Sequence, residues 1–219
     1  MLNLTFCKPA DQAYRVLCLG AHSDDIEIGC GGTLLTVLER HDNVVVRWVV
    51  FSSNEERACE ARRSVDVFLA RAREKEVVIK SYRDGFFPFF GGQIKDDFEA
   101  LKREFLPDLV LTHFRDDRHQ DHRLVSDLTW NTFRDHLILE YEIPKYDGDL
   151  GQPNLFVPLS EPVCSTKVRN ILENFRSQRE NRWFDEQTFM AILRLRGMEA
   201  NSPTRYAEAF FCRKAVLLG

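Results

Sequence analysis

The sequence has little of what marks secreted, membrane or nucleic-acid-binding proteins. Its six cysteines are scattered over 219 residues and form no Cys-x-x-Cys pair, which is typical of a reducing compartment. No run approaches the roughly 18 apolar residues of a membrane span, and the N-terminus lacks a positively charged start followed by a long apolar segment. We therefore expect a cytoplasmic protein without a membrane span.

An excess of basic residues is also absent. The chain has 30 Lys and Arg against 34 Asp and Glu, with a net charge of −4, so it offers no basic surface for a nucleic-acid backbone. The hydrophobic fraction of 44% is enough for a sizeable core at this length. We expect one globular domain over residues 1–219 and no nucleic-acid partner.

Short apolar runs alternate with amphipathic segments along the chain. This pattern predicts an α/β fold, in which the strands of a mostly parallel sheet are joined by crossover helices. The predicted strands are 14–19, 44–51, 76–79 and 108–112, and the predicted helices are 31–39, 55–73, 95–105, 165–178 and 184–199. The Pro- and Gly-containing stretch 139–160 indicates an insertion that shapes either a pocket or a contact in a homo-oligomer.

Polar clusters follow two of the predicted strands. The stretch 21–35, AHSDDIEIGCGGTLL, comes after the first strand, and the stretch 112–128, THFRDDRHQDHRLVSDL, begins where strand 108–112 ends. The second stretch holds three of the six histidines. Because ligands gather outside the carboxyl ends of parallel strands, the two clusters can meet in one crevice.

The glycines of the first cluster admit a phosphate-loop interpretation, but it is the weaker one. Gly29, Gly31 and Gly32 have neither the G-x-G-x-x-G spacing nor a following GK[ST]. The carboxylates of Asp24 and Asp25 would also repel a pyrophosphate at a helix N-terminus. A non-hydrolytic nucleotide-binding protein therefore stays an alternative, and we expect the glycines to form the turn at the helix start.

A metal site accounts better for the two clusters. His22 and Asp25, three residues apart, can converge from one turn, and His122 can add a third ligand from the second cluster. Catalytic zinc typically has three protein ligands and an open position for water. The same two-His-one-carboxylate set also suits iron, so Zn²⁺ is predicted with Fe²⁺ as an alternative.

Three neighbouring side chains have natural roles beside such a metal. Asp24 can take a proton from a metal-bound water, whose pKa the cation lowers to about 7. His119 can donate a proton to a leaving amine or stabilise an oxyanion, and Asp121 can orient a neighbouring imidazole.

Both clusters carry a family resemblance. Residues 21–32, AHSDDIEIGCGG, resemble the AHPDD-x-E-x-G-x-GG signature of the PIG-L/LmbE-like deacetylases, and residues 119–122, HQDH, resemble their HPDH motif. Weaker similarities lie at residues 57–60, 82–85 and 206–210, so the resemblance covers most of the chain. The chain departs from it at Ser23 and Gln120, where the family usually has proline; this affects the turn and removes no ligand.

The resemblance implies a Rossmann-like three-layer fold and a zinc-dependent N-deacetylase acting on an N-acetylated sugar or glycoconjugate. It assigns the metal ligands to His22, Asp25 and His122 and the general base to Asp24. His119 would be the acid or oxyanion group, with Asp121 tuning it.

Some members of the family hydrate a carboxylated alkene instead, so a metal-dependent hydratase is an alternative within the resemblance. Arg57 is a candidate for contacting a sugar hydroxyl or phosphate, although an arginine at a helix start commonly faces solvent. The run 86–90, FFPFF, suits either an apolar wall of a substrate site or packing beneath a loop.

Overall fold

One seven-stranded sheet organises the part of the chain that the structure, a computed structural model, describes: residues 8–9 and 11–216. The strands are β1 (Tyr14–Gly20), β2 (Val44–Val50), β3 (Glu74–Ile79), β4 (Leu109–His113), β5 (Leu137–Tyr141), β6 (Leu155–Leu159) and β7 (Tyr206–Cys212). Their order in the sheet is β3-β2-β1-β4-β5-β7-β6. The first five strands are parallel, and β7 runs antiparallel between β5 and β6.

Helices cover both faces of the sheet. They are α1 (Asp25–Arg40), α2 (Glu55–Phe68), α3 (Gly91–Glu104), α4 (Gln120–Thr132), α5 (Glu161–Asn174) and α6 (Glu186–Glu199), with short 3-10 helices at Phe87–Phe90 and Arg176–Gln178. Helices α1, α2, α5 and α6 pack together on one face, and α3 packs with α4 on the other. The predicted fold class, a three-layer α/β sandwich with a mostly parallel sheet, is confirmed.

Strand β1 lies in the middle of the sheet and is buried on both faces. Val16 and Cys18 belong to the core under α1 and α2, whereas Leu17 and Leu19 belong to the core under α3 and α4. A parallel strand covered on both sides has no polar face, which explains the continuous apolar run in its sequence.

The largest difference from the predicted elements concerns α1. This helix begins at Asp25, six residues before the predicted start, so the glycines lie inside it and the predicted glycine turn is wrong. A Cβ atom on Gly29 would overlap the Tyr141 ring, and one on Gly31 would lie 2.6 Å from the Phe68 ring. The glycines therefore let α1 approach β5 and α2 closely.

Smaller differences affect other boundaries. The helix predicted at 55–73 ends at Phe68, and the one predicted at 165–178 begins at Glu161, after the Ser160 side chain accepts a hydrogen bond from the Val163 N–H. The 139–160 stretch includes the end of β5 and all of β6. Strand β6 was missed because its side chains are mostly half-buried and it contains Pro158.

Two expectations drawn from composition can be compared with the described residues. Five cysteines are free there, and Cys7 lies outside the described residues. Among the described helices, none combines the length and apolar character needed to cross a membrane.

Replacing Gly29 by alanine should destabilise the fold. The new methyl group would meet the Tyr141 ring, which is buried and held by the hydroxyl's 2.6 Å hydrogen bond to the Leu19 carbonyl. We expect a loss of about 1–3 kcal/mol in the free energy of unfolding, measured by chemical denaturation. Gly92→Ala is the matched control, because its Cβ would meet no atom within 4 Å and should stabilise α3 by up to about 1 kcal/mol. Equal stability of the two variants would contradict the packing argument.

Candidate active site

The two polar clusters meet at the carboxyl ends of β1 and β4. These strands are parallel neighbours, although the chain visits β2 and β3 between them, so the crevice lies where the strand order reverses. The Ala21 N–H, just after β1, donates a 2.9 Å hydrogen bond to Nε2 of His113, the last residue of β4. This bond joins the two strand ends directly.

His22, Asp25 and His122 converge as the sequence predicts. His22 Nδ1 lies 3.2 Å from His122 Nε2 and 3.5 Å from Asp25 Oδ2, and His122 Nε2 lies 3.6 Å from Asp25 Oδ1. Three donors bound tetrahedrally at about 2.1 Å from one zinc ion would be about 3.4 Å apart. All three side chains are buried. Each pair is spaced as a small divalent cation requires, but Asp25 uses Oδ2 toward His22 and Oδ1 toward His122. The three residues therefore do not form one group whose single ligand atoms all lie within 4.8 Å of one another.

Carboxylates lie beside the other ring nitrogen of each histidine in this set. His22 Nε2 faces Asp84 Oδ1 at 3.0 Å and Asp121 Oδ2 at 3.3 Å, and His122 Nδ1 faces Asp117 Oδ2 at 2.9 Å. A carboxylate in this position fixes the orientation of a metal-binding imidazole and strengthens it as a ligand. The donor chemistry thus also fits a metal centre. Asp84 and Asp117 were not among the predicted site residues.

Other donors overlap with the predicted set. The ligand atoms of His22, His119 and His122 lie within 4.8 Å of one another, as do those of Asp25, His113 and His122, and those of His22, Asp84, His119 and Asp121. Burial, together with the neighbouring His113, lowers the pKa of His122 to about 4. His122 is therefore neutral at pH 7, which is the form that binds a metal.

Asp24 lies beside the ligands but has a different partner. Its buried carboxylate accepts a 2.7 Å hydrogen bond from Nη2 of Arg57, in the first turn of α2. Burial raises the Asp24 pKa, and the Arg57 charge opposes that rise. The Arg57 side chain is only 16% exposed, so this arginine faces the site rather than solvent.

His119 caps the N-terminus of α4. Its Nδ1 accepts the Asp121 N–H at 3.3 Å, so a neutral ring carries its proton on Nε2. Burial and the nearby His22 lower the His119 pKa, which favours that neutral form.

The Asp121 side chain is directed toward His22. Its carboxylate accepts the N–H groups of Gly85 and Phe87 at 2.7 and 3.1 Å, and it reaches His119 through its own backbone N–H. Asp121 therefore ties the turn after β3 to the imidazole of His22.

Ser23 and Gln120 stand where the family resemblance predicts proline, and both side chains donate hydrogen bonds. The Ser23 hydroxyl donates to the Ser53 hydroxyl at 3.0 Å, and Gln120 Nε2 donates to the Gly85 carbonyl at 3.0 Å. The polar side chains thus connect the two clusters to the ends of β2 and β3.

The 86–90 run provides packing and also exposed aromatic surface. Phe87 is fully buried and its ring lies 6.1 Å from that of His22, whereas Phe89 is 80% exposed and lies 5.9 Å from Phe86. The packing interpretation applies to Phe87, whereas Phe89 presents its ring to solvent.

Solved structures with the same fold include two of stated function. A conserved protein from Thermus thermophilus aligns with a TM-score of 0.74 and 22% identity over 93% of this chain and 96% of that one. An N,N'-diacetylchitobiose deacetylase from Pyrococcus horikoshii aligns at 0.67 and 23% over 92% and 84%. A 4-carboxy-2-hydroxymuconate hydratase from Pseudomonas putida aligns at 0.68 and 15% over 94% and 98%.

The sequence comparison with protein families identifies the relationship more closely. Residues 17–133, over half of the chain, match the family described as PIG-L, GlcNAc-PI de-N-acetylase. The matched segment runs from β1 through α4 and so includes both polar clusters. The resemblance seen in the sequence is confirmed: the chain belongs to the PIG-L family.

Proposed function

We propose that the protein is a metal-dependent hydrolase that removes an acetyl group from the amide nitrogen of an N-acetylated sugar or glycoconjugate. The observation that carries this proposal is the buried set of His22, Asp25 and His122 with a separate buried carboxylate, Asp24, beside it. Membership of the PIG-L family and the fold shared with a chitobiose deacetylase support it.

His22, Asp25 and His122 would hold the metal, with Zn²⁺ first and Fe²⁺ as an alternative. A bound cation supplies polarisation of the amide carbonyl and acidifies a coordinated water. Asp117 and the Asp84–Asp121 pair keep the two imidazoles oriented for this purpose.

Asp24 would be the general base that takes a proton from the attacking water. Burial raises its pKa, which makes the carboxylate a stronger base, and the Arg57 guanidinium opposes that rise and holds the carboxylate at 2.7 Å. The proton held by Asp24 is then available to the amine nitrogen as the carbon–nitrogen bond breaks.

His119 would stabilise the oxygen that becomes negatively charged during attack. Since its Nδ1 accepts the Asp121 N–H, Nε2–H is the group left to donate. The lowered pKa favours a neutral hydrogen-bond donor over a proton donor. Asp121 would act on the site mainly through His22.

Arg57 would combine contact with Asp24 and contact with substrate. Its Nη2 donates to Asp24, and its buried Nε–H has no partner among the described residues. Contact with a sugar hydroxyl or phosphate would come from the 16% of the side chain that is exposed.

Hydration of a carboxylated alkene is the second candidate, because a hydratase shares the fold. Two assays distinguish the deacetylase from the hydratase: acetate release from N-acetylated sugars and glycoconjugates, and hydration of unsaturated carboxylic acids. The metal content of the purified protein is measured alongside them. Acetate release with bound metal supports the proposal. Bound metal with hydration alone would favour the hydratase, and failure to bind any divalent metal would refute both.

Asp24→Asn should abolish most turnover while leaving the metal bound. Asparagine keeps the size of the side chain but cannot take the proton, so we expect kcat to fall by about 10²–10⁴-fold. Metal content, measured by elemental analysis, should match the wild type. Near-normal turnover in this variant would show that another group is the base.

His122→Ala should lower metal content along with activity. The change removes a donor that lies 3.2 Å from His22 Nδ1, and we expect metal affinity to fall by at least about 10-fold. His41→Ala is the matched control, because His41 lies just after the opposite end of α1. Full metal content in the His122 variant would exclude this histidine as a ligand.

A further inference from the structure

A segment outside the family match contacts the carboxylate beside His122. Lys145 lies in the segment 142–151, between β5 and β6, whereas the residues that match the family end at 133. The Lys145 Nζ donates a 2.9 Å hydrogen bond to Oδ2 of Asp117, the same oxygen that faces His122 Nδ1 at 2.9 Å. A line of direct contacts therefore joins Lys145 to one of the three proposed metal ligands.

Asp117 contacts both histidines of the HQDH motif. Its Oδ2 faces the His122 ring, and its Oδ1 accepts the backbone N–H of His119 at 2.7 Å. This carboxylate thus sets the ring orientation of a proposed ligand and the position of the residue that caps α4. Whatever holds Asp117 in place also affects these two histidines.

Lys145 lies between two buried carboxylates. Besides Asp117, its Nζ donates to Oδ2 of Asp149 at 2.5 Å, and Asp149 Oδ2 also accepts the backbone N–H of Arg118 at 2.6 Å. The side chains of Lys145, Asp117 and Asp149 are 10%, 2% and 6% exposed, so water screens their charges only weakly. Without the ammonium group, the two carboxylates would repel each other over a short distance.

The segment that carries Lys145 is fixed at both of its ends. Arg196 of α6 forms two hydrogen bonds, of 2.6 and 2.7 Å, with the carboxylate of Glu142, and its Nη2 also donates to the Gly151 carbonyl at 3.1 Å. Both members of the Arg196–Glu142 pair are buried. One guanidinium therefore ties the segment to α6 and keeps Lys145 close to Asp117.

We propose that Lys145 is a positioning residue of the candidate active site. By offsetting the repulsion between Asp117 and Asp149, it keeps the Asp117 carboxylate on His122 and so supports metal binding. This inference rests on the metal site of the proposed function and not on the reaction. It gives the stretch 139–160 a role in the site.

The affinity for zinc tests this proposal without turnover. Lys145→Met keeps much of the side-chain length but removes the charge, so we expect the Kd for Zn²⁺ to rise about 10–100-fold, measured by competition with a chromogenic chelator. Lys75→Met is the matched control, because it removes the same charge and breaks a 2.7 Å ion pair with Asp66 at the amino end of β3. It should bind zinc like the wild type. Unchanged or tighter zinc binding by Lys145→Met would overturn the proposal.

The double change Lys145→Met and Asp149→Asn distinguishes charge balance from a merely structural role. It removes the cation together with the carboxylate that would repel Asp117, and asparagine keeps an oxygen that can accept the Arg118 N–H. We expect the Kd for Zn²⁺ to return to within about threefold of the wild type, because the two changes offset each other. A loss as large as that of Lys145→Met alone would overturn the proposal.

The double variant also keeps the test valid if Lys145→Met does not fold. Unfolding of each variant is followed by circular dichroism. Recovery of a folded, zinc-binding protein in the double variant supports the proposal, and failure to recover one overturns it.

Acetate release by the wild type distinguishes this inference from the proposed function. Zinc binding that depends on Lys145, without acetate release from any N-acetylated compound, refutes the deacetylase function alone. Acetate release with a zinc affinity that does not depend on Lys145 refutes this inference alone. A wild type that binds no divalent metal refutes both.

Discussion

The buried carboxylate of Asp25 is the group on which the site depends. It accepts the backbone N–H of His22 at 2.6 Å and lies 3.2 Å from His113 Nε2. Burial acts to raise its pKa, but His122 and His113 outweigh burial and hold the pKa well below its usual range. A charge in this position is stable only while these partners surround it. The first turn of α1 and the end of β4 are therefore held together by one carboxylate.

Packing of α1 and geometry of the site are linked through Tyr141. One side of its ring lies against Gly29, while its hydroxyl donates to the Leu19 carbonyl and lies 3.3 Å from His113 Nε2. A side chain on Gly29 would overlap this ring and displace it from its contacts with Leu19 and His113. The glycine-rich part of the motif thus affects the candidate site indirectly, by fixing how close α1 comes to β5.

Residue types and order were enough to predict the parallel sheet and the convergence of His22, Asp25 and His122, because apolar strands and the polar residues after them follow simple rules. Among the supporting carboxylates, Asp121 was expected to orient an imidazole, whereas Asp84 and Asp117 were not predictable in the same way. Asp84 sits in a turn and Asp117 in a loop, and neither has a periodic pattern that indicates its partner. The start of α1 was missed because glycine is a poor helix former, and here tertiary contact outweighs that preference.

The charges around the site give an independent reason for a cation there. Five carboxylates face it or its histidines, and two fixed cations pair with them. The carboxylates are those of Asp24, Asp25, Asp84, Asp117 and Asp121, and the cations are Arg57 and Lys145. His122 is neutral. Burial acts to lower the pKa of His22, but Asp121, Asp25 and Asp84 raise it well above its usual value, so without a metal His22 adds one positive charge. Negative charge still exceeds positive charge in a largely buried region, which is costly. A divalent cation bound at His22, Asp25 and His122 would replace the His22 proton and offset most of the excess, so the carboxylates beside the two histidines would also favour a metal electrostatically.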